Sequence, residues 1–323
     1  MAYSEQVLRR AQARLAQEKA NCEAEAAART EQIYRQFPRL REIDHALRQS
    51  VAKAVSAAFR KGTDTTAAIE AIKTENLALQ QEREWILEAN DLDESALESA
   101  VICPKCGGSG YVGAVMCECL QELCRQEQKK ELSSLLSGRE TFEGFRLEYY
   151  PAEPDPATGV SPRALMQNTF QLCRRYAREF SRRSPSLLFT GGPGLGKTYL
   201  SACIARSVAD SGFSVVYDTA GKLFADFEAV KFGSDRSDLT SKYLACDLLI
   251  IDDLGTEMTT QFTQSVLYQV INSRLMESLP VIVSTNLSAE ALSRRYSGPI
   301  VSRLLGSYQL CPFLGRDIRQ LRR

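Results

Sequence analysis

The chain has 323 residues, 44% hydrophobic and 25% charged, with Lys+Arg and Asp+Glu equal at 40 each. That length supports two domains with real cores, and the balance excludes both a disordered chain and a globally basic nucleic-acid binder. No apolar run approaches a membrane span or a signal peptide. The expectation is therefore a cytoplasmic protein with no membrane partner, whose ten cysteines are thiols or metal ligands rather than disulfides.

Residues 1–100 predict helix almost throughout. Leu8, Ala11, Leu15, Cys22, Ala26, Ile33 and Phe37 recur at helical spacings and form one narrow apolar stripe, interrupted by Glu18. Pro38 ends that helix. A second stripe follows in Leu40, Ile43, Leu47, Val51, Val55 and Ala58, and Lys61–Gly62–Thr63–Asp64 breaks it. A third carries Ile69, Ile72, Leu79 and Ile86. Helices with such narrow stripes bury little alone, so an antiparallel hairpin or small bundle is expected. It is either a structural stalk or a docking module for another protein.

Residues 101–125 hold Cys103-x2-Cys106 and, ten residues on, Cys117-x-Cys119. Two close cysteine pairs around a glycine-rich turn supply four thiolates for a tetrahedral Zn²⁺ at little cost in loop entropy. The x1 spacing of the second pair leaves Cys124 open as a substitute ligand. The other readings are free thiols or a redox pair. Four protein ligands would leave no position for water, so a zinc here is expected to be structural.

From Gln126 a charged helix runs into GRETFEGFRLEYY and PAEPDPATGVSP, and residues 126–162 are expected to form a linker. Residues 163–323 then alternate helix and strand. Apolar strands are expected at Leu187–Thr190, Ser214–Tyr217, Leu248–Ile251 and Val281–Ser284, with a shorter one at Tyr308–Cys311. This alternation predicts an α/β domain, a parallel sheet covered by helices on both faces. The mild basic excess of residues 139–323, 22 Lys+Arg against 19 Asp+Glu, is compatible with nucleic acid.

Four groups of residues in this domain point to nucleotide chemistry. Gly191, Gly192, Pro193, Gly194, Leu195, Gly196, Lys197 and Thr198 follow an apolar strand and fill G-x-x-x-x-G-K-[ST], with a helix expected to begin near Lys197 and Tyr199 a further nucleotide-binding candidate. Backbone N–H groups of such a loop cradle phosphates, Lys197 reaches the β- and γ-phosphate oxygens of ATP, and the Thr198 hydroxyl ligates Mg²⁺. Leu248–Ile251 ends in Asp252, placed to hold Mg²⁺, and Asp253, placed to orient an attacking water. Val281–Val283 ends in Ser284–Thr285–Asn286, where Asn286 is either a partner for that water or the γ-phosphate, or a turn former. Finally, Phe224, Phe227, Lys231, Phe232 and Lys242 mix aromatic and basic side chains in the manner of a single-strand DNA surface, or else of a helix packed on the sheet.

Taken together, Gly191–Thr198, Leu248–Asp253 and Ser284–Asn286 resemble the P-loop AAA+ ATPases. DLLIIDDLG with VLYQVINSRL is similar to the DnaC/DnaI-type helicase loaders and the IstB transposition ATPases, over about residues 139–323. The cysteine module and its helical leader resemble the N-terminal part of DnaI-like and phage-type loaders. The resemblance implies an arginine finger at Arg303, acting on a neighbouring subunit's nucleotide, and a sensor arginine at Arg319 or Arg316, after which little chain is left for a lid. It further implies an ATPase that self-associates, binds a DnaB-type replicative helicase through residues 1–100, and contacts single-stranded DNA. An ATPase regulating DNA transposition, or a nucleotide-binding adaptor without turnover, are the alternatives. Asp253 is one methylene shorter than the glutamate common in the family, which bears on the rate of hydrolysis.

Overall fold

The computed structural model describes residues 3–59, 65–97, 101–135, 140–156, 158–233 and 238–321. It divides into two compact units, one of residues 13–117 and one of residues 3–12 with 118–321. Helix α1 (Glu5–Gln36) stops one residue before Phe37, and Pro38 opens α2 (Pro38–Phe59), where its missing N–H is harmless. The buried residues of α1 are Val7, Ala11, Leu15, Ala26 and Ile33, so Val7 rather than Leu8 begins the stripe.

Helix α3 (Thr65–Ala89) packs on α2, and two ionic contacts bring the start of α2 beside the end of α3. Arg39 at the start of α2 donates to both carboxylate oxygens of Glu82 near the end of α3, at 2.7 and 2.9 Å. Asp44 accepts from Arg83 at 3.0 Å and from the Tyr34 hydroxyl at 2.6 Å. Ile33, Leu40 and Leu87 form the small core between these helices. Leu87 is buried and Ile86 packs beside it, while the predicted core residue Ile69 is exposed. The Lys61–Asp64 turn, and the side chains of Val51, Val55 and Ala58, lie outside the described residues. A short hairpin, β1 (Tyr111–Val112) with β2 (Val115–Met116), closes the cysteine-rich turn.

The second unit contains α4 (Glu118–Leu135), α5 (Pro162–Arg178), β3 (Leu187–Thr190), α6 (Lys197–Asp210), β4 (Val215–Thr219), α7 (Ala220–Lys231) and α8 (Asp238–Ala245). It continues through β5 (Leu248–Leu254), α9 (Gln261–Met276), β6 (Val281–Thr285), α10 (Ala289–Arg295), α11 (Gly298–Gly306), β7 (Gln309–Pro312) and α12 (Ile318–Leu321). Five parallel strands form one sheet in the order β4-β5-β6-β3-β7. Period-two alternation sends Leu187, Phe189, Leu248 and Ile250 into a core shared with α5 and α6. The intervening Leu188, Leu249 and Ile251 enter a second core beneath α7, α8, α9 and α11. The α/β architecture covered on both faces is therefore as expected.

The expected linker over residues 126–162 is corrected. Leu132 and Tyr150 from this stretch are buried in the first core. Gln128 on α4 donates to Phe213 O and accepts from Val215 N–H, both at 2.9 Å, so α4 covers the outer edge of β4. Proline content marked an irregular path, but the flanking aromatic and aliphatic side chains still find a core.

On the other face Arg274 of α9 is 0% exposed and has carbonyl partners. It donates to Tyr243 O and Cys246 O at 3.0 Å and to Pro280 O at 2.8 Å, tying the end of α8 to the start of β6.

Candidate nucleotide site and cysteine cluster

The carboxyl ends of β3, β6 and β5 lie side by side, which is where open parallel sheets bind ligands. Strand β6 separates the glycine-loop strand from the acidic strand, so Asn286 falls between the two. The glycine loop bends sharply, with φ of +139° at Gly191, +70° at Gly194 and +91° at Gly196. At Gly191 the need is also steric: a Cβ would stand 2.2 Å from the Phe313 carbonyl oxygen, because the chain after β7 bonds back to Thr190 O.

A cavity of about 390 Å³ opens over this loop, lined by Pro193 to Tyr199 together with Asp253, Asn286 and Arg319. The Lys197 ammonium donates to Gly191 O at 2.7 Å, Gly192 O at 2.6 Å and Asn286 Oδ1 at 2.7 Å. Burial lowers its pKa, with Asp253 and Asp252 opposing that shift. Arg319 lines the cavity and Arg316 does not, a placement set by the docking of the C-terminal turn on the loop. Ile318 N–H donates to Gly194 O at 3.1 Å, and Asp317 accepts from Arg319 N–H at 2.9 Å.

The two aspartates are separated by a β-bulge. Ile251 pairs with Val283 and Leu254 with Thr285, so Asp252 and Asp253 together oppose the single residue Ser284. The Ser284 hydroxyl accepts from Asp253 N–H at 3.0 Å and donates to the Asp252 carboxylate. Asp252 is buried and also accepts from Tyr217 OH at 2.8 Å and Thr198 OH at 3.3 Å. Asp253 takes φ of +54°, an uncommon conformation for a residue with a Cβ, and faces the cavity. Burial first, then the neighbouring Asp252, raises its pKa.

Sequence reasoning missed two groups of residues. Tyr217 and Ser284 organise Asp252, and Ser284 was legible as a polar residue ending an apolar strand. Phe145, Arg146, Tyr149 and Tyr150 form the other end of the cavity from within the supposed linker. Tyr150 OH donates to Leu195 O at 2.8 Å, beneath the glycine loop. Tyr199 lines the cavity while its hydroxyl bridges Thr141, accepting from N–H at 3.2 Å and donating to O at 2.9 Å.

Arg303 lies elsewhere, on α11 against α9. It donates to Asn272 Oδ1 at 2.9 and 2.7 Å and to Tyr268 OH at 3.0 Å, and stacks 4.6 Å above the Tyr268 ring. The expected aromatic–basic patch is corrected in part. Phe224 is buried and Phe227 stacks on Tyr243. Lys242 is held by Asp218 at 2.9 Å and Asp226 at 3.3 Å. Phe232 remains 74% exposed, beside Lys231, whose ammonium lies 4.7 Å above the Phe262 ring.

Residues 169–303 match the family model described as IstB-like ATP binding protein. This part of the chain is similar to the IstB-like ATP-binding domains. The IstB-like domain is similar to the replicative helicase loader DnaC of Escherichia coli K12, at 24% identity over 139 residues. That alignment covers 42% of this chain and 57% of the relative, so the chain spans little more than half the length of the first relatives it matches. DnaC of Buchnera aphidicola subsp. Schizaphis graminum is 22% identical over 190 residues, covering 57% of this chain and 74% of the relative. A crystal structure of the DnaC helicase loader superposes with a TM-score of 0.46 at 19% identity, covering 54% of this chain and 97% of that one.

Outside the IstB-like domain, Cys103, Cys106, Cys117 and Cys119 place all four sulfur atoms within 4.8 Å of one another. Cys103 and Cys117 Sγ are 3.8 Å apart. A tetrahedral zinc with metal–sulfur bonds of about 2.3 Å has sulfur–sulfur edges of about 3.8 Å, so this donor set fits the ion. Gly107, Gly108 and Gly110 all take positive φ in the turn between the pairs. Cys124 lies outside the cluster, and burial pushes its thiol up to about 11. Among the described residues no helix is long and apolar enough to cross a membrane.

Proposed function

We propose that this chain is a cytoplasmic ATPase that loads a replicative DNA helicase onto single-stranded DNA. The observation that carries the ATPase reading is the convergence of Lys197, Asn286 and Asp253 on one cavity, with Asp252 held apart from Asp253 by the bulge. Loop N–H groups from Gly191 to Thr198, with the Lys197 ammonium, bind the phosphates. Thr198 and Asp252 would hold Mg²⁺, which would supply charge neutralisation for the phosphates. Asp253 orients the attacking water, Asn286 hydrogen-bonds that water or the γ-phosphate, and Arg319 stabilises charge on the phosphoryl group. Arg303, outside its own cavity, serves a neighbouring copy, so turnover depends on self-association.

The loader role rests on the similarity to DnaC together with the helical and cysteine-rich region preceding the domain. Residues 1–100 would grip a DnaB-type helicase, and Lys231 with Phe232 would contact the single strand. The test uses the full chain, a hexameric replicative helicase from its source organism, and DNA coated with single-strand-binding protein. Helicase should be retained by the immobilised chain and should unwind only when it is present. Phe232→Ala with Lys231→Ala should weaken single-strand binding by about tenfold. Failure to retain the helicase, or retention of a transposase instead, rejects the loader reading while leaving the ATPase intact.

The cysteine cluster would hold a structural zinc. Purified protein should contain one zinc per chain by mass spectrometry of the metal. A Cys103→Ser, Cys117→Ser double variant should lose it and melt at lower temperature. Protein that is fully folded, reduced and free of zinc would remove this assignment.

A further inference from the structure

Between Pro162 and Arg183 the sequence places six arginines and a single glutamate. Residues 139–323 as a whole carry 22 Lys+Arg against 19 Asp+Glu, so outside this stretch the region is net negative. The basic excess is therefore local to α5 and the turn that follows it.

Helix α5 buries Met166, Thr169, Cys173, Tyr176 and Ala177 at spacings of three, four and one, which fixes its outward face. That face presents Asn168, Gln171, Arg174, Arg175 and Arg178, all exposed along the outside of one helix. Arg178 pairs with Glu179 and Arg182 with Asp247, both at 2.6 Å. Among the described residues Arg174, Arg175 and Arg183 have no carboxylate partner.

Helix α1 treats its charges differently. There Arg9, Arg14 and Arg35 each face a glutamate four residues away. Like charges three and four residues apart on α5 repel by a few tenths of a kcal/mol, only part of which the helix C-terminal dipole offsets. A face needing only solubility would intersperse acids, as α1 does.

This face also carries no aromatic side chain among its described residues. Tyr176 and Phe180 are buried, and Phe170 stacks on Phe145 with ring centres 5.2 Å apart. Guanidinium and amide donors without exposed aromatic rings match phosphate oxygens rather than unstacked bases. Arg174 and Arg178 are separated by about 6 Å along the helix axis, about two base-pair rises of a duplex strand. Duplex DNA has the higher charge density and the regular phosphate spacing that such a row suits. The α5 side of the sheet is the opposite one from α7 and Phe232. We propose that the outward face of α5 is a second DNA surface, which takes duplex DNA by its phosphate backbone without regard to sequence.

The test is fluorescence anisotropy with the full chain, a duplex of about 30 base pairs and a thymidine single strand of equal length, between about 50 and 200 mM salt. The triple variant Arg174→Gln, Arg175→Gln, Arg178→Gln should bind duplex at least about tenfold more weakly at low salt. The slope of log affinity against log salt should be shallower by about two to three, at about 0.9 for each phosphate the variant no longer neutralises. Single-strand affinity should change less than about twofold, since stacking carries that site. The corresponding triple lysine variant should keep most duplex binding and controls for folding. Absence of duplex binding by the parent, an unchanged duplex affinity in the glutamine variant, or equal losses for duplex and single strand would each overturn the proposal. None of these outcomes depends on helicase binding or ATP turnover.

Discussion

Asp253→Asn should lower steady-state ATP turnover by at least about 100-fold while leaving the protein as stable as the parent or more so. The loss of turnover follows from the proposed role, because an amide cannot accept the water's proton or polarise it as a carboxylate does. The stability follows from the structure. Burial and Asp252 raise the pKa of Asp253, so the folded state disfavours its ionised form. The contribution of such a group is fully present below its unfolded pKa and is lost as pH rises through the folded value. At neutral pH the ionised carboxylate is therefore a liability, which asparagine removes. Asparagine also tolerates the left-handed backbone found at φ +54°. Lys197→Ala should bring turnover to background as well, and should weaken nucleotide binding, which Asp253→Asn should preserve. ATPase assays and thermal melting of the three proteins at neutral pH check this. Equal turnover in all three would reject enzymatic hydrolysis and favour an adaptor. A large drop in the melting temperature of Asp253→Asn would show the residue to be structural.

Arg274→Met should cost about 1–3 kcal/mol of folding stability, the penalty for buried backbone acceptors left without their donor. Methionine fills much of the same volume, so the cost is chiefly electrostatic. The carbonyls of Tyr243 and Cys246 would lose a buried donor, while Pro280 O would keep the N–H of Leu249. Two of these carbonyls lie at the C-terminal end of α8, where a positive charge is favourable. Urea unfolding followed by fluorescence measures the change. A midpoint within error of the parent would mean that α8 and β6 are held together without this residue.

Most of the nucleotide site was legible in the sequence because its parts are local. A glycine loop between strand and helix, and polar residues ending apolar strands, need only neighbouring residues to be recognised. Asp253 and Asn286 were placed from strand ends alone, and the parallel sheet brings them to the same cavity as Lys197. The cysteine pairs were legible for the same reason, since their ligands lie within seventeen residues of sequence. What escaped is long-range. Tyr217 reaches Asp252 across a strand pair, and Tyr150 reaches Leu195 across 45 residues. Neither carries a local signature that distinguishes it from a core tyrosine.

Helix rotation was also beyond the sequence. In residues 13–97 the apolar stripes are narrow, so shifting by one residue changes hydrophobic burial little. Leu87 is buried and Ile86 is half-buried against the same small core, a ranking the stripe alone does not give. The aromatic and basic residues after β4 show the same limit. Their composition suited a DNA surface, yet two neighbouring aspartates claim Lys242 and the sheet claims Phe224.

By itself, the sequence determined a phosphate-binding loop, a strand-end acidic pair, a four-thiol cluster and a two-sided parallel sheet. Each is set by short-range spacing or by the period of apolar residues. Only the tertiary structure decided that Arg319 and not Arg316 lines the cavity, that Cys124 stands apart from the other thiols, and that a bulge opposite Ser284 turns Asp253 toward the nucleotide site while Asp252 stays buried. Those choices depend on where separate segments dock. Docking is settled by packing and hydrogen bonds between residues far apart in the chain, which spacing along one strand or helix cannot record.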